Sequence, residues 1–292
     1  MVLCIGEILA DVIGAEEDKT VFKIYAGGAP FNVAVNLKRA GGNCGFIGCV
    51  GKDVIGDYLK EFAAAVGFDC GGVQTDAERN TTMAFVSHVN GERDFSFFRR
   101  DTADSHIDIS EIDFCAEELN IVHLGSLLLA DSDGAALAER IAARTKAAGK
   151  TLSFDVNYRA DIFRCPREAR RVYAPFIGRA DILKFSEDEL FAFTGEEDFD
   201  KAAGKVARDG ALLLVTLGSR GSYYSLGHMR GFVDTEKITP IDTTGAGDAF
   251  MAAVLKELDG VALADADEGF LRNALKKANL AGGIATQHRG AI

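Results

Sequence analysis

Short apolar runs alternate with helix-period segments along most of this 292-residue chain. The runs at 2–6, 45–51, 120–129, 151–157, 180–186 and 211–218 are hydrophobic almost throughout, as "ALLLVTLG" at 211–218 illustrates. Uninterrupted runs of this kind suit strands covered on both faces, whereas strict alternation would mark a half-exposed strand. Amphipathic segments separate them: 30–42, which opens on Pro30 and closes on Gly41-Gly42, then 55–66 ahead of Gly67, 134–148, 167–177 and 201–208. Proline near a helix start and glycine just past its end are the usual punctuation. Strands joined through helices run parallel. The pattern therefore predicts an α/β fold: a Rossmann-like three-layer α/β/α domain with a mostly parallel central sheet, spanning 1–292.

Two early segments break the rhythm. Residues 10–28 read as two short strands around an acidic turn, and 81–98 as a hairpin with Asn90-Gly91 supplying the turn. A small β lid formed by insertions near 10–28 and 73–98 is expected. Residues 231–292 read as loop and helix, with helices near 245–258 and 269–286.

Composition narrows the partners. Hydrophobic residues make up 48% and charged residues 26%, as in ordinary globular proteins. The formal net charge of −12 disfavours a nucleic-acid groove, which needs clustered Lys and Arg. No apolar run approaches the roughly 20 residues of a membrane span, and "MVLCIGEILADV" lacks a basic lead or cleavage site. Neither nucleic acid nor membrane is expected as a partner. Cys4, Cys44, Cys49, Cys70, Cys115 and Cys165 form no Cys-x-x-Cys pair; Cys44 and Cys49 read as buried, reduced core thiols, and the expected location is cytoplasmic.

The candidate chemistry centres on "DTTGAGDAF" at 242–250, where a Gly-Ala-Gly turn leads into an apolar helix. The first N–H groups of a helix lack internal partners and carry partial positive charge, so an anion belongs there. Asp248, in the first turn, is either a charge complement to the helix terminus or a general base beside a bound phosphate. The stretch is not a P-loop, because Lys-Ser/Thr is missing. "YAGGAPFN" lacks Gly-x-Gly-x-x-Gly, so a dinucleotide-dependent oxidoreductase is weakly supported. His88 reads as a surface residue of the lid and His123 as a packed strand residue, His228 and His288 have no Asp or Cys partners at metal spacing, and no nucleophile elbow is present.

"AGGAPFNVA" at 26–34 together with "DTTGAGDAF" resembles the two signature motifs of the ribokinase-like carbohydrate kinase family. "GCVGKDVIGDYL" at 48–59, "DVNYR" at 155–159 and "TLGSRG" at 216–221 are further landmarks in the same order, so the resemblance spans nearly the whole chain. It implies an ATP-dependent sugar kinase. Asp248 would be the base, with the N–H groups of Gly245, Ala246 and Gly247 as the anion hole. Asp11, Gly27, Gly28 and Asn32 would hold the sugar, with Asn157 and Arg159 at a strand end binding sugar or phosphate. Arg159 also admits a structural ion pair, and Asp11 a turn-forming role. Ser186, Thr216, Gly218, Gly221 and Asn279 would lie at the nucleotide.

Glu189 matches the glutamate that organises Mg²⁺ through water in such kinases. Ser186 replaces that motif's asparagine, and the same pair reads as a capping box; the two roles are compatible. Asp242, Thr244, Ala285 and Gly290 would surround a monovalent cation such as K⁺.

"FSFFRRDTAD" at 95–104 and "HLGSLLL" at 123–129 resemble the fructokinase and 2-keto-3-deoxygluconate kinase branches of that family, and Ala29 stands where ribokinases usually have Lys. D-Fructose, attacked through its 6-hydroxyl, is the expected substrate, with a keto-deoxy sugar acid or another ketose or ribose as alternatives. Arg99 would reach a sugar hydroxyl or a sugar-acid carboxylate. A sugar-binding sensor without turnover is the alternative of a different class. The resemblance also allows a homodimer paired through the lids.

Overall fold

In the computed structural model, which describes residues 1–14, 20–69, 71–89, 92–159, 162–163, 165–288 and 290–292, the apolar runs assemble into one large sheet. The chain begins with β1 (Val2–Ile5), β2 (Leu9–Gly14), β3 (Phe22–Gly27), α1 (Ala29–Arg39), β4 (Cys44–Gly51), α2 (Val54–Val66) and β5 (Val73–Asp76). It continues through β6 (Met83–Val89), β7 (Glu92–Phe98), β8 (Ile121–Leu124), α3 (Ser132–Ala147), β9 (Thr151–Asp155), α4 (Pro166–Ile177) and β10 (Ile182–Ser186). It closes with α5 (Glu187–Thr194), α6 (Phe199–Val206), β11 (Leu212–Thr216), β12 (Ser222–Leu226), β13 (Met229–Val233), α7 (Ala246–Leu258) and α8 (Glu268–Ala285).

The large sheet has the order β13-β12-β11-β10-β9-β8-β1-β4-β5, parallel except where β12 and β13 pair antiparallel at one edge. Alternate residues of each strand feed two cores. Val2, Cys4, Ile121, Ile182 and Leu214 pack on the side of α1, α2, α7 and α8. Leu3, Ile5, Val122, Leu124, Phe154, Phe185 and Val215 pack on the side of α3–α6. This is the three-layer α/β/α arrangement that continuous apolar strands demand. The chain moves outward from β1 to β4 and β5 on one side, then returns to β8 on the other. Ligands in open α/β sheets lie at such a reversal, beyond the carboxyl ends of the strands.

A second, four-stranded sheet has the order β3-β2-β6-β7. β2 pairs β6 in parallel, and the outer pairs are antiparallel. Register places Leu9, Asp11, Ala84 and Phe97 on one face of it and Phe22, Ile24, Phe85 and Phe98 on the other.

Three sequence expectations are corrected. The stretch 73–98 is divided: β5 pairs with β4 at the edge of the large sheet, and only β6 and β7 join the small one. The run 120–129 is a strand only to Leu124. Gly125 then lies so close to Pro30 and Glu7 that any side chain there would collide, and Leu127–Ala130 turns into a 3₁₀ helix. The hairpin β12–β13 departs from the sequence pattern, because its outer strand is half polar and its residues from Gly231 onward read as loop. The proposed turn at Asn90-Gly91 and Cys70 lie outside the described residues. Cys4, Cys44 and Cys49 are buried free thiols.

Candidate active site

A cleft with an empty volume of about 570 Å³ opens between the small sheet and the carboxyl ends of β1, β8 and β9. Asp11 on β2 and Phe97 on β7 face it from the small sheet, Asn32 and Gly28 from the start of α1, Asn157 and Arg159 from beyond β9, and Gly245 and Asp248 from the start of α7. The structure thus gathers most of the candidate sugar and base residues around one space.

Two glycines make that gathering possible. A Cβ on Gly27 would stand 2.4 Å from Asp11 Oδ2, and one on Gly28 would stand 2.5 Å from the Glu7 carbonyl oxygen. Gly28 also has φ 109°, a conformation that side-chain-bearing residues avoid. The backbone entering α1 therefore runs directly against the carboxylate of β2 and the strand-end turn of β1. Inside α1, Asn32 is buried and donates Nδ2–H to Asp248 Oδ2 at 2.8 Å, linking two motifs 216 residues apart.

Asp248 sits in the first turn of α7, after Gly245 at φ 76°. Burial pushes its carboxyl up to about 6; the Asn32 hydrogen bond pulls the other way, and the charge of Asp155 adds to the rise. A base that ionises just below neutrality fits proton abstraction at physiological pH. Of the three amides at the turn, Ala246 N–H points to Thr243 O at 3.3 Å, a long bond with which an anion would compete.

Under the α7 terminus lies a buried ion pair that sequence reading missed. Lys184 Nζ donates to Asp155 Oδ1 at 2.9 Å and Oδ2 at 2.7 Å, across paired positions of β9 and β10. Burial works against the Lys184 charge, but Asp155 and Glu189 outweigh it and hold the ammonium above its ordinary value. Lys184 Nζ would lie 3.3 Å from a Cβ on Gly247, so a side chain there would push the cation back by a few tenths of an ångström. The neighbouring His123, hydrogen-bonded to Ser153 at 3.0 Å, is pushed down to about 3 by burial and Lys184 and stays neutral.

At the strand ends, Asn157 adopts φ 36°, and Glu189 clamps the turn beside it. Glu189 Oε1 accepts from Tyr158 N–H at 2.6 Å and Oε2 from Ser186 N–H at 2.7 Å, while Ser186 Oγ accepts from Glu189 N–H at 3.3 Å. The capping box is real, and it ties α5 to the cleft-side turn. Thr216 ends β11, and Gly218 and Gly221, at φ 58° and 91°, form the turn into β12.

Other expected site residues are placed differently. Arg99 does not line the cleft: its side chain is 5% exposed and donates Nε to Asp104 at 2.7 Å, Nη1 to Asp131 at 2.7 Å and Nη2 to Ser105 at 2.8 Å. Its charge is spent holding the segment after β7 against α3. Asn279 is likewise buried, with Nδ2 donating to Val233 O at 2.9 Å and Asp234 O at 3.3 Å, so it braces α8 to the end of β13. Asp242 Oδ1 accepts from Thr244 N–H at 2.9 Å and Oγ1 at 2.8 Å, and its Oδ2 from Gly290 N–H at 2.9 Å. Ala285 closes α8, and its carbonyl accepts from His288 N–H. Among the described residues no group of three or more His, Cys, Asp or Glu side chains is arranged to hold a metal ion.

Glu7, Phe97 and Ser126 also line the cleft; Phe97 and Ser126 fall within the resemblance stretches 95–104 and 123–129, but none of the three was given a role there. Glu7 follows the β1 run directly. Its position at the carboxyl end of the first strand was the one available pointer.

A family model described as pfkB family carbohydrate kinase matches residues 1–292. A probable fructokinase-7 of Arabidopsis thaliana is 37% identical over an alignment covering 100% of this chain and 88% of the relative. A double mutant of the fructokinase from Vibrio cholerae O395, in a form with fructose, ADP and potassium ion bound, superposes with a TM-score of 0.88 at 30% identity, covering 99% of this chain and 93% of that one. A fructokinase from Xylella fastidiosa with bound ATP gives a TM-score of 0.88 at 29% identity, with coverages of 99% and 93%.

Proposed function

This chain belongs to the pfkB family of carbohydrate kinases, and from that premise we propose that it transfers the γ-phosphoryl group of ATP to the 6-hydroxyl of D-fructose. The observation that carries the reading is Asp248: a half-buried carboxyl at a helix start, joined to Asn32 and sharing a cleft with Asp11. The fructokinases among its relatives, and those crystallised with fructose and ADP or with ATP, support the choice of substrates.

Asp11 and Asn157 grip sugar hydroxyls, Gly27 and Gly28 let the sugar lie against backbone, and Phe97 covers an apolar face of it. Asp248 accepts the 6-hydroxyl proton as that oxygen bonds to the γ-phosphorus and the bond to the bridging oxygen of ADP breaks. Such transfer depends mainly on positioning and on charge stabilisation. The α7 terminus, Arg159 and the Lys184 cation beneath the turn provide the positive potential. Ser186, Thr216, Gly218 and Gly221, at the ends of β10 and β11, border the nucleotide.

Glu189 fits an outer-sphere contact with Mg²⁺, because both of its oxygens already hold backbone N–H groups. When bound, Mg²⁺ supplies charge neutralisation for the phosphates. The cluster of Asp242, Thr244 and Gly290 fits a monovalent cation, with the potassium-bound relative in support. The engaged state of Arg99 disfavours a sugar acid, since that guanidinium is not offered to a substrate carboxylate. We place the enzyme in the cytoplasm.

A coupled ATP-to-ADP assay over fructose, ribose, tagatose, 2-keto-3-deoxygluconate and nucleosides tests the reading. Fructose is expected to give the highest kcat/KM. If no sugar raises ADP release above background, the reading fails.

A further inference from the structure

The phosphoryl-transfer account leaves Glu7 unused, although it is among the most buried ionisable groups of the molecule. Glu7 is 2% exposed and follows Gly6 at the reversal of strand order beside β1. Its Oε2 atom has no hydrogen-bond partner among the described residues. The fold makes room for it: a Cβ on Gly125 would stand 2.5 Å from Glu7 Oε2 and 2.8 Å from Pro30 Cγ. Asn32, which lines the same cleft and gives its amide N–H to Asp248, holds a second buried oxygen, Oδ1, with no partner among the described residues. Buried acceptors are almost always paired, so two unpaired ones at one cleft call for donors that a ligand brings.

We infer that Glu7 is a specificity-determining sugar contact: its carboxyl, with Asn32 Oδ1, takes a hydroxyl of the bound sugar other than the one phosphorylated. The inference rests on the sugar-kinase reading and adds a residue to it. A hydroxyl suits this pairing because it is both donor and acceptor. Burial pushes the Glu7 carboxyl up to about 8, with Asp104 and Asp248 adding to the rise and its own backbone N–H and Arg99 opposing it. At neutral pH the cleft therefore presents a carboxylic acid, able to donate to the sugar oxygen as well as accept from it. The neutral acid also avoids placing another full negative charge beside Asp248. A site built around a substrate hydroxyl discriminates strongly against the analogue that lacks it, since its own polar groups are then left unpaired.

The test is a substrate–variant cycle. kcat/KM is measured for fructose, for its 1-, 3- and 4-deoxy analogues and for 2,5-anhydromannitol, on the wild type, Glu7→Gln and Glu7→Ala. One analogue is expected to lose about 100-fold or more against fructose on the wild type, and less than about 5-fold on Glu7→Ala. A purely structural Glu7 would lower all substrates together, and equal analogue losses in wild type and Glu7→Ala overturn the assignment. Should the variants fail to fold, a wild-type crystal structure with whichever panel sugar is turned over decides the matter. A Glu7 carboxyl oxygen within about 3.2 Å of a sugar hydroxyl supports the inference, and no sugar oxygen within about 4 Å of it overturns it. Wild-type turnover of fructose reports on the kinase reading separately.

Discussion

Asp248, half-buried, and Glu7, buried, are two carboxyls of one cleft whose environments raise both, to about 6 and about 8. The difference separates a base that is ionised at neutral pH from an acid that is not. Asp248→Asn is expected to lower kcat by about 10²–10⁴ while ATP affinity changes less than about twofold, checked by steady-state kinetics and calorimetry. In the wild type, protonation removes the base, so kcat/KM should be level from pH of about 6 to the ionisation of Glu7 at about 8, and fall about tenfold per unit below 6. For Glu7 the linkage concerns stability. The folded state binds the proton more tightly than the unfolded state, so stability is full below the unfolded pKa of about 4.5 and lost as pH rises towards 8. Glu7→Gln removes that dependence. Denaturant melts should show the variant gaining on the wild type between pH 4.5 and 8, by about 3 kcal/mol at pH 7. A variant that tracks the wild type across that range would contradict the raised carboxyl.

Among the elements, the starts of α1 and α7 carry the site, and both were legible in the sequence because glycines punctuate them. The close approach of Gly27 to Asp11 shows what that punctuation is for. Gly27→Ala would displace the Asp11 carboxylate, and KM for the sugar should rise about 10-fold or more with a smaller change in kcat. Less legible were contacts that sequence spacing does not encode. Lys184 read as part of an apolar run, yet strand register sets it opposite Asp155 beneath α7. Arg99 read as a ligand-seeking cation, yet the fold turns it inward to Asp104 and Asp131. Glu7 was given no role. Long-range pairing decides each of these, and hydrophobic period does not report on it. Lys184→Met strands the buried Asp155 charge and should cost about 3–5 kcal/mol, whereas Lys184→Met combined with Asp155→Leu should regain most of it. Thermal and chemical denaturation of the single and double variants checks this.

On the scale of the whole molecule, periodicity alone carried the three-layer architecture, because strands covered on both faces are apolar at every position. The half-exposed pieces were harder to read: β5 and the β12–β13 hairpin lie at sheet edges, where polar residues dilute the pattern. The small sheet has two different faces. One turns Asp11 and Phe97 to the cleft, and the other exposes Phe22 at 51% and Phe98 at 59%, with Phe85 between them. An apolar face of this kind suits coverage by a second copy, and we propose a homodimer there. Light scattering should give a dimer mass for the wild type and a monomer for Phe22→Asp combined with Phe98→Asp. Closure of the small sheet over the sugar would exclude water from the phosphoryl transfer. The central claim, transfer to the 6-hydroxyl with Asp248 as base, is tested most directly by ³¹P NMR of the product formed from ATP and fructose. The account predicts fructose 6-phosphate from the wild type and none above background from Asp248→Asn over the same time. Fructose 1-phosphate as the product, or undiminished 6-phosphate from the variant, would contradict it.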